Sequence, residues 1–269
     1  MAKRKRGTTP KAINKKLKEG RGQGNSANYR PWLHIQDVPS RGLATRIKGW
    51  KAGRVHHLLS LLELRYFYIL EWSPNVIDIR EQYPLLPLEE TLAIANCFGI
   101  RHPTDPKTKH PVVMTTDFVN TVRHDVTELD EPRTVKYKDE LNNKRVLEKL
   151  EIERRYWESR KLNLKIVTED KIPSVLAKNV EWLHGYLHLE DFLNLPNFTI
   201  SQTISALMRS LKTQSAPLRD LTLRNDDRLG LEIGTSLSIV RHLLANRQLH
   251  VDMNKLINPC ERLNLIADR

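Results

Sequence analysis

The sequence contains little cysteine and no long apolar segment. Its 269 residues include two cysteines, Cys97 and Cys260, which are far apart and belong to no C-x-x-C pair. That pattern argues against a disulfide framework and against a cysteine-based zinc site, and it favours a reducing compartment such as the cytoplasm. No apolar run approaches the roughly 20 residues of a membrane-spanning helix, and no apolar signal core follows the N-terminal basic cluster. We therefore expect a soluble protein without a membrane partner.

Acidic residues are scarce in the first 30 positions. This segment contains ten Lys or Arg residues and a single acidic residue, Glu19, so it carries +9 of the total formal charge of +12. It also has few apolar side chains to offset the entropy lost on ordering, and we interpret residues 1–30 as a flexible basic arm. Such an arm suits phosphate contacts with DNA, although a solubilising tail or a localisation signal has the same composition. The candidate DNA-binding residues are Lys3, Arg4, Lys5, Arg6, Lys15, Lys16 and Arg21.

The rest of the chain is long enough for two domains, since hydrophobic residues make up 39% of the sequence. Apolar residues at helical spacing and runs of β-branched residues alternate in its first part, which predicts a mixed α/β domain at residues 31–187. The predicted elements are helices at 54–70 and 142–162 and extended segments at 76–83, 112–122, 133–138 and 164–168. Residues 188–269 show three short helical stretches and then two possible strands, at 249–253 and 263–267. This is the order of a winged-helix module.

Three polar residues in the first domain fit the chemistry of phosphodiester hydrolysis. That reaction requires carboxylates that hold divalent cations at the phosphate, with a cation or base near the attacking water. Asp117 lies in one predicted strand, and Thr134 and Lys136 share one face of the next, so Asp117 and Lys136 converge if these strands pair. Glu63, on the upstream helix, can supply a second carboxylate. The pattern alone is common, because a capping Asp, a solvated Lys and a surface Glu produce it too.

Longer motifs narrow the interpretation. They are RGQG at 21–24, GRVHHLLS at 53–60, LEL at 62–64, EW at 71–72, DIREQYPLLP at 78–87, TDF at 116–118, VK at 135–136, LEKLE at 147–151 and ERRYW at 153–157. Together they closely resemble the TnsA family, the endonuclease subunits of heteromeric transposases. The resemblance is strong over residues 20–183. Over the remaining residues it rests on length and helix order.

The resemblance implies a restriction-endonuclease-like N-terminal domain followed by a winged-helix C-terminal domain. The implied activity is magnesium-dependent cleavage of the non-transferred strands at the 5' ends of a transposon, with one or two Mg²⁺ per site and Mn²⁺ as a possible substitute. The implied partners are transposon-end DNA, a TnsB-like transposase that cuts the 3' ends, and a TnsC-like ATPase regulator. Such a protein works in the bacterial cytoplasm, in association with the nucleoid.

The family's site residues map onto this chain with one departure. A helix Glu, a strand Asp and the Lys of a Gln-x-Lys motif fall on Glu63, Asp117 and Lys136, with the two acids as metal ligands. The Gln position is Thr134, whose hydroxyl is a weaker ligand than an amide or a carboxylate. Glu153 faces inward on its predicted helix and either completes the ligand set or pairs with a Lys or Arg of that helix. Two functions stay open: an active nuclease, or a catalytically inactive DNA-binding subunit that bridges transposase and regulator.

Overall fold

The computed structural model describes residues 7–38 and 43–266. The chain forms two compact units, Met1–Ile172 and Pro173–Arg269. Within the described ranges, every helix is too short or too polar to cross a membrane.

The boundary between the units differs from the predicted one after residue 187. Helix α5, Ser174–Leu183, belongs to the C-terminal unit. The reason is visible at Asn179, whose buried side-chain amide donates to the carbonyls of Met253 and Lys255 and accepts from the backbone amide of Ile257. These contacts join α5 to a segment more than seventy residues later, which a local sequence pattern does not reveal.

A four-stranded sheet forms the centre of the N-terminal unit. Its strands, in spatial order, are β3 (Val76–Pro84), β4 (Thr115–His124), β5 (Thr127–Val135) and β6 (Lys165–Val167). β4 is antiparallel to both β3 and β5, whereas β5 and β6 are parallel. β4 and β5 form a hairpin through Asp125, whose φ of 53° Asp tolerates better than most residues. Phe118 pairs with Arg133, so the end of β5 lies beside Asp117.

The helix predicted at 54–70 is shorter in the structure. Its first residues instead form β2 (Val55–Leu58), which pairs with β1 (Thr45–Lys48), and α2 covers Leu61–Trp72. The hydroxyl of Ser60 accepts a hydrogen bond from the backbone amide of Glu63 at 3.1 Å, which caps the helix and sets its start. Apolar residues of β2 happened to fall in phase with those of the helix.

Two further helices cover the sheet, α3 (Leu88–Cys97) and α4 (Lys144–Glu158). Tyr156 and Trp157 of α4 are buried against Leu85 and Val119. Trp157 also donates a hydrogen bond from Nε1 to Thr116 Oγ1 at 2.7 Å. This packing fixes the rotation of α4 about its axis and turns one of its faces toward the end of β5.

The expected mobile arm is ordered from residue 7 onward. Helix α1 spans Pro10–Lys18, and the preceding Thr8 donates its backbone amide to Asp105 Oδ2 at 2.8 Å. At Gly22, φ is 78° and a Cβ would lie 2.2 Å from a side-chain atom of Pro84, so the chain approaches β3 as closely as glycine allows. These contacts stabilise a segment whose composition alone predicts disorder. The four predicted DNA contacts at Lys3, Arg4, Lys5 and Arg6 lie outside the described residues.

The C-terminal unit continues with three helices, α6 (Asn197–Thr213), α7 (Leu218–Leu229) and α8 (Thr235–Ala245). Its fully buried side chains include Leu207, Leu218, Ile239 and Leu244. The two predicted strands after α8 are reduced to one antiparallel bridge between Val251 and Leu265. The unit is therefore mainly helical.

Candidate active site

The structure brings Asp117 and Lys136 together, as the strand alternation predicts. Lys136 Nζ lies 2.8 Å from Asp117 Oδ2, and the same oxygen accepts a 2.7 Å hydrogen bond from the backbone amide of Val135. Lys136 follows β5, and its own amide donates to Val167 of β6. Burial alone would lower the pKa of Lys136, but the Asp117 carboxylate outweighs it and raises that pKa above its ordinary value. Lys136 therefore stays protonated in its ion pair with Asp117 and does not act as a proton acceptor.

Glu63 approaches the same place from the first turn of α2. Its carboxylate accepts hydrogen bonds from the backbone amide of Leu59 and the hydroxyl of Ser60, both at 3.0 Å. The side chain is buried. Burial raises the pKa of Glu63 to about 7, and the negative charge of Asp117 adds to the shift. The two carboxylates thus lie close enough to oppose each other's ionisation.

Glu153 of α4 supplies a third carboxylate. Thr134 Oγ1 lies 3.1 Å from Glu153 Oε1 and 3.2 Å from Asp117 Oδ2, so a single hydroxyl links the two acids. Burial raises the pKa of Glu153 to about 7, again with a contribution from Asp117. The ion pair considered as the alternative role belongs to the neighbouring Glu151, which pairs with Arg154 and Arg155.

These residues fit a divalent cation by their chemistry. Carboxylate, hydroxyl and amide oxygens are the ligands of Mg²⁺ and Ca²⁺. Asp117 and two buried acids near it, Glu63 and Glu153, whose pKa values are raised, form a site with more negative charge than Lys136 neutralises. A cation would favour the ionised form of each acid. Within the described residues, no three acidic, histidine or cysteine side chains already stand at ligand spacing, so the side chains would have to close around an ion.

Gln82 is a site residue that the sequence analysis did not identify. Its side chain is almost fully buried, donates from Nε2 to Glu63 Oε2 at 3.2 Å and accepts from Thr115 Oγ1 at 3.2 Å. Its φ is 50°, which is uncommon for a residue other than glycine. Trp32 donates its backbone amide to the carbonyl of Gln82, which helps to hold that conformation. In this backbone conformation the side chain of Gln82 reaches Glu63.

A buried ion-pair network holds the strand next to Gln82. Glu81 is completely buried and accepts hydrogen bonds from the guanidinium of Arg54, from His56 Nδ1 at 2.8 Å and from the amide of His57 at 3.1 Å. The network joins β2 to β3, and β2 leads directly into the start of α2. His56 and His57 thus contribute to the contact between β2 and β3.

A cleft of about 810 Å³, called here the central cleft, opens beside these residues. Thr134, Lys136 and Glu153 line one part of it, and Lys15 and Lys16 of α1 line another. Two of the predicted DNA-binding residues thus border the cleft. Arg21 does not line it, and its guanidinium pairs with Glu19 and Asp37.

Comparisons with known proteins agree with the two-unit structure. A family model described as "TnsA-like endonuclease N terminal" matches residues 73–169, and one described as "TnsA endonuclease C terminal" matches residues 171–253. The chain is also similar to the Escherichia coli protein "Transposon Tn7 transposition protein TnsA". The two are 40% identical over 257 residues, which cover 95% of this chain and 89% of that protein. Two matched domains and this level of identity establish that the chain belongs to the TnsA family of transposition endonucleases.

Proposed function

We propose that the protein is the metal-dependent nuclease of a Tn7-type transposition system, and that it cuts the non-transferred strands at the 5' ends of the transposon. The observation that carries the proposal is that Asp117 lies beside Lys136 and contacts the same Thr134 hydroxyl as Glu153. Glu63 is close enough to Asp117 for the two charges to interact. A TnsB-like transposase would cut the 3' ends in the same reaction. Together the two cuts would release the element.

In this proposal the three acids hold one or two Mg²⁺, for which Mn²⁺ can substitute. The bound ion would polarise the scissile phosphate and stabilise negative charge on the leaving oxygen. Lys136 keeps its proton beside Asp117 and places a fixed positive charge at the attacked phosphate. Such a preorganised charge stabilises the transition state without rearrangement during the reaction.

Glu153 compensates for Thr134 in the proposed site. Thr134 occupies the strand position where the family pattern has Gln, and its hydroxyl contacts both Asp117 and Glu153. The carboxylate of Glu153 therefore lies next to Thr134, the position that lacks a strong metal ligand. We propose that Glu153 binds metal and that Thr134 orients it.

The alternative is a catalytically inactive subunit that binds DNA and bridges transposase and regulator. The feature in its favour is that Asp117 Oδ2 already accepts hydrogen bonds from Lys136 and from the amide of Val135, and the hydroxyl of Thr134 lies 3.2 Å from it. A metal ion would have to compete with them. Glu63 and Glu153 are buried at the same place and have raised pKa values, which favours the nuclease. Burying a carboxylate without a compensating charge is costly, and a bound metal ion would supply that charge.

The C-terminal unit is assigned a docking role in the same proposal. Its three helices followed by the bridged pair Val251 and Leu265 are compatible with a small winged-helix module. Cations and acids are mixed on α7, where Arg219 pairs with Asp220. Such a surface suits a protein partner, here a TnsC-like ATPase regulator, at least as well as DNA.

The test is a reconstituted transposition reaction with Asp117→Ala. We expect 5'-end cleavage to be lost while 3'-end cleavage and joining by the transposase persist, so that the product becomes a cointegrate. Asp125→Asn, at the exposed turn of the same hairpin, is the matched control and should excise normally. Unchanged excision by the Asp117 variant would refute the nuclease assignment. Full loss of both cleavages would point instead to the bridging role.

A further inference from the structure

A second, strongly basic pocket lies next to the central cleft. Its volume is about 330 Å³, and the charged residues that line it are all cations: Arg101, Lys109, Arg145 and Lys149. Pro103 and Lys149 line this basic pocket and the central cleft alike. The two cavities are therefore neighbours within one unit, and a chain-like ligand can pass from one to the other.

The cations of the basic pocket are largely uncommitted. Across the described ranges, Arg101, Lys109 and Lys149 form no ion pair with a carboxylate, and Arg145 contacts Glu148 at 2.8 Å. Asp105 belongs to the same loop as Arg101 and Lys109, but its oxygens accept three backbone amides. Four like charges around one cavity repel each other. An anionic ligand would relieve that repulsion.

Helix α4 connects the basic pocket to the candidate active site. Arg145, Lys149 and Glu153 recur every fourth residue on one face, so each step covers about 6 Å along the axis and the three span about 12 Å. The first turn of α4 also contains Lys144 and Arg145 and no acid. Basic residues there oppose the usual preference for negative charge near a helix N-terminus, and an anion bound at this end would satisfy both the side chains and the helix dipole.

The opposite wall of the pocket is a well-ordered loop. Thr104 and Pro111 form an antiparallel bridge, and Asp105 accepts hydrogen bonds from the amides of Lys107 and Thr108 at 2.9 Å. Lys109 adopts a φ of 60°, and its amide donates to the carbonyl of Asp105. These contacts hold the backbone that carries Lys109 in a defined conformation.

We propose that the basic pocket binds backbone phosphates of the DNA strand that continues from the phosphate in the central cleft. The inference rests on the proposed nuclease function and extends it by naming the path of the strand. α4 runs alongside that strand, with Glu153 at the central phosphate and with Lys149 and Arg145 at phosphates farther along. Because Arg145 and Glu153 are about 12 Å apart along α4, the pocket lies about two to four phosphates away.

The experiment measures DNA binding by the full-length protein without added divalent cation, so that no strand is cut. A transposon-end duplex carries one uncharged methylphosphonate at a time, and the affinity is compared among the wild type, Arg101→Ala/Arg145→Ala and Lys165→Ala. Lys165 is an exposed lysine of β6 that lines neither cavity. A Lys136→Ala variant locates the central phosphate, because neutralising that phosphate should no longer affect its binding.

We expect the wild type to lose affinity when phosphates about two to four positions from the central one are neutralised. The double variant should be insensitive at these positions, and its slope of log affinity against log salt should be smaller by about two, since each lost phosphate contact removes about 0.9. Lys165→Ala should match the wild type in both respects. Circular dichroism spectra confirm that the variants are folded.

The proposal is overturned if the double variant and the wild type respond equally to every methylphosphonate. It is also overturned if Lys165→Ala reduces the salt slope as much as the double variant does, since any surface cation would then serve. Both readouts are independent of cleavage. A protein that never cuts DNA but shows the position-specific loss would retain the basic pocket as a phosphate site while losing the proposed nuclease function.

Discussion

Gln82 donates a 3.2 Å hydrogen bond from Nε2 to Glu63 Oε2, and it does so from a left-handed backbone with φ of 50°. A residue other than glycine in this region costs about 1–3 kcal/mol and persists where surrounding contacts impose it. Here the contacts of Trp32 with the main chain and of Thr115 with the side chain do so. Strain next to a candidate metal ligand indicates that Gln82 positions Glu63.

Replacing Gln82 separates the side-chain role from the backbone role. We expect Gln82→Ala to lower the nicking rate and raise the Mg²⁺ concentration required, each by about 10- to 100-fold, as for other partners that orient metal ligands. Gln82→Gly removes the same hydrogen bond but relieves the strained backbone, so it should be more stable than Gln82→Ala and equally impaired. Nicking rates against Mg²⁺ concentration and thermal unfolding measure both quantities. Recovered activity in the glycine variant would show that only the backbone matters.

Glu153 and Glu151 provide a matched pair on α4. Burial and Asp117 raise the pKa of Glu153 from the ordinary value of 4.5 to about 7. The ionised form of Glu153 therefore destabilises the folded state, and this effect grows as the pH rises from 4.5 through 7. Glu153→Gln should therefore be at least as stable as the wild type at pH 8 without metal. Its nicking rate should fall by about 10- to 100-fold.

Glu151→Gln is the control for this experiment. It loses ion pairs with Arg154 and Arg155 at the surface, which cost about 0–1 kcal/mol, and it should keep full activity. The metal dependence of thermal unfolding adds a second readout, because stabilisation by Mg²⁺ should shrink in Glu153→Gln alone. Full activity in the Glu153 variant would exclude that residue from the site.

The buried carboxylate of Glu81 should make the stability of the fold sensitive to acid. Burial alone would raise the pKa of Glu81, but His56 and Arg54 outweigh it and hold that pKa far below the ordinary 4.5. A depressed carboxyl pKa stabilises the folded state above pH 4.5, and the contribution is lost as the pH falls below that value.

Urea denaturation between pH 7 and pH 3 tests this prediction. Glu81→Gln should lose about 3–5 kcal/mol near neutral pH, the cost of breaking a buried ion pair, and the difference from the wild type should narrow as the pH drops below 4.5. Glu128→Gln, whose ion pair with Arg123 is exposed, serves as control and should show no such trend. A constant difference at all pH values would contradict the assignment.

The boundary at residue 173 predicts which C-terminal fragment folds. A fragment of residues 173–269 retains α5 and should unfold cooperatively, whereas one of residues 189–269 lacks Asn179 and exposes the core that α5 covers. Within the longer fragment, Asn179→Ala leaves three backbone groups without their partner and should cost several kcal/mol, at about 1–3 kcal/mol for each group that stays buried. Circular dichroism during urea titration measures both effects. Equal stability of the two fragments would place the boundary nearer residue 188.

Much of the N-terminal fold follows from short sequence windows. β-branched residues predict the position of β4, helical spacing predicts α4 and most of α2, and their order predicts a mixed α/β unit. The proximity of Asp117 and Lys136 was also predictable, because strands that follow each other directly usually pair. The residue pattern also named Glu63 as a possible second carboxylate, and the family motifs supported that prediction.

Only the tertiary structure decided the rest, because the remaining contacts join distant parts of the chain. Thr8 meets Asp105 across 97 positions, which orders a segment that composition predicts to be mobile. Glu153 had two equally plausible partners until the packing of α4 on the sheet directed it toward Thr134. Composition and periodicity report local preferences, whereas these pairings depend on how helices and strands pack and on loop-closure costs that sequence windows do not contain.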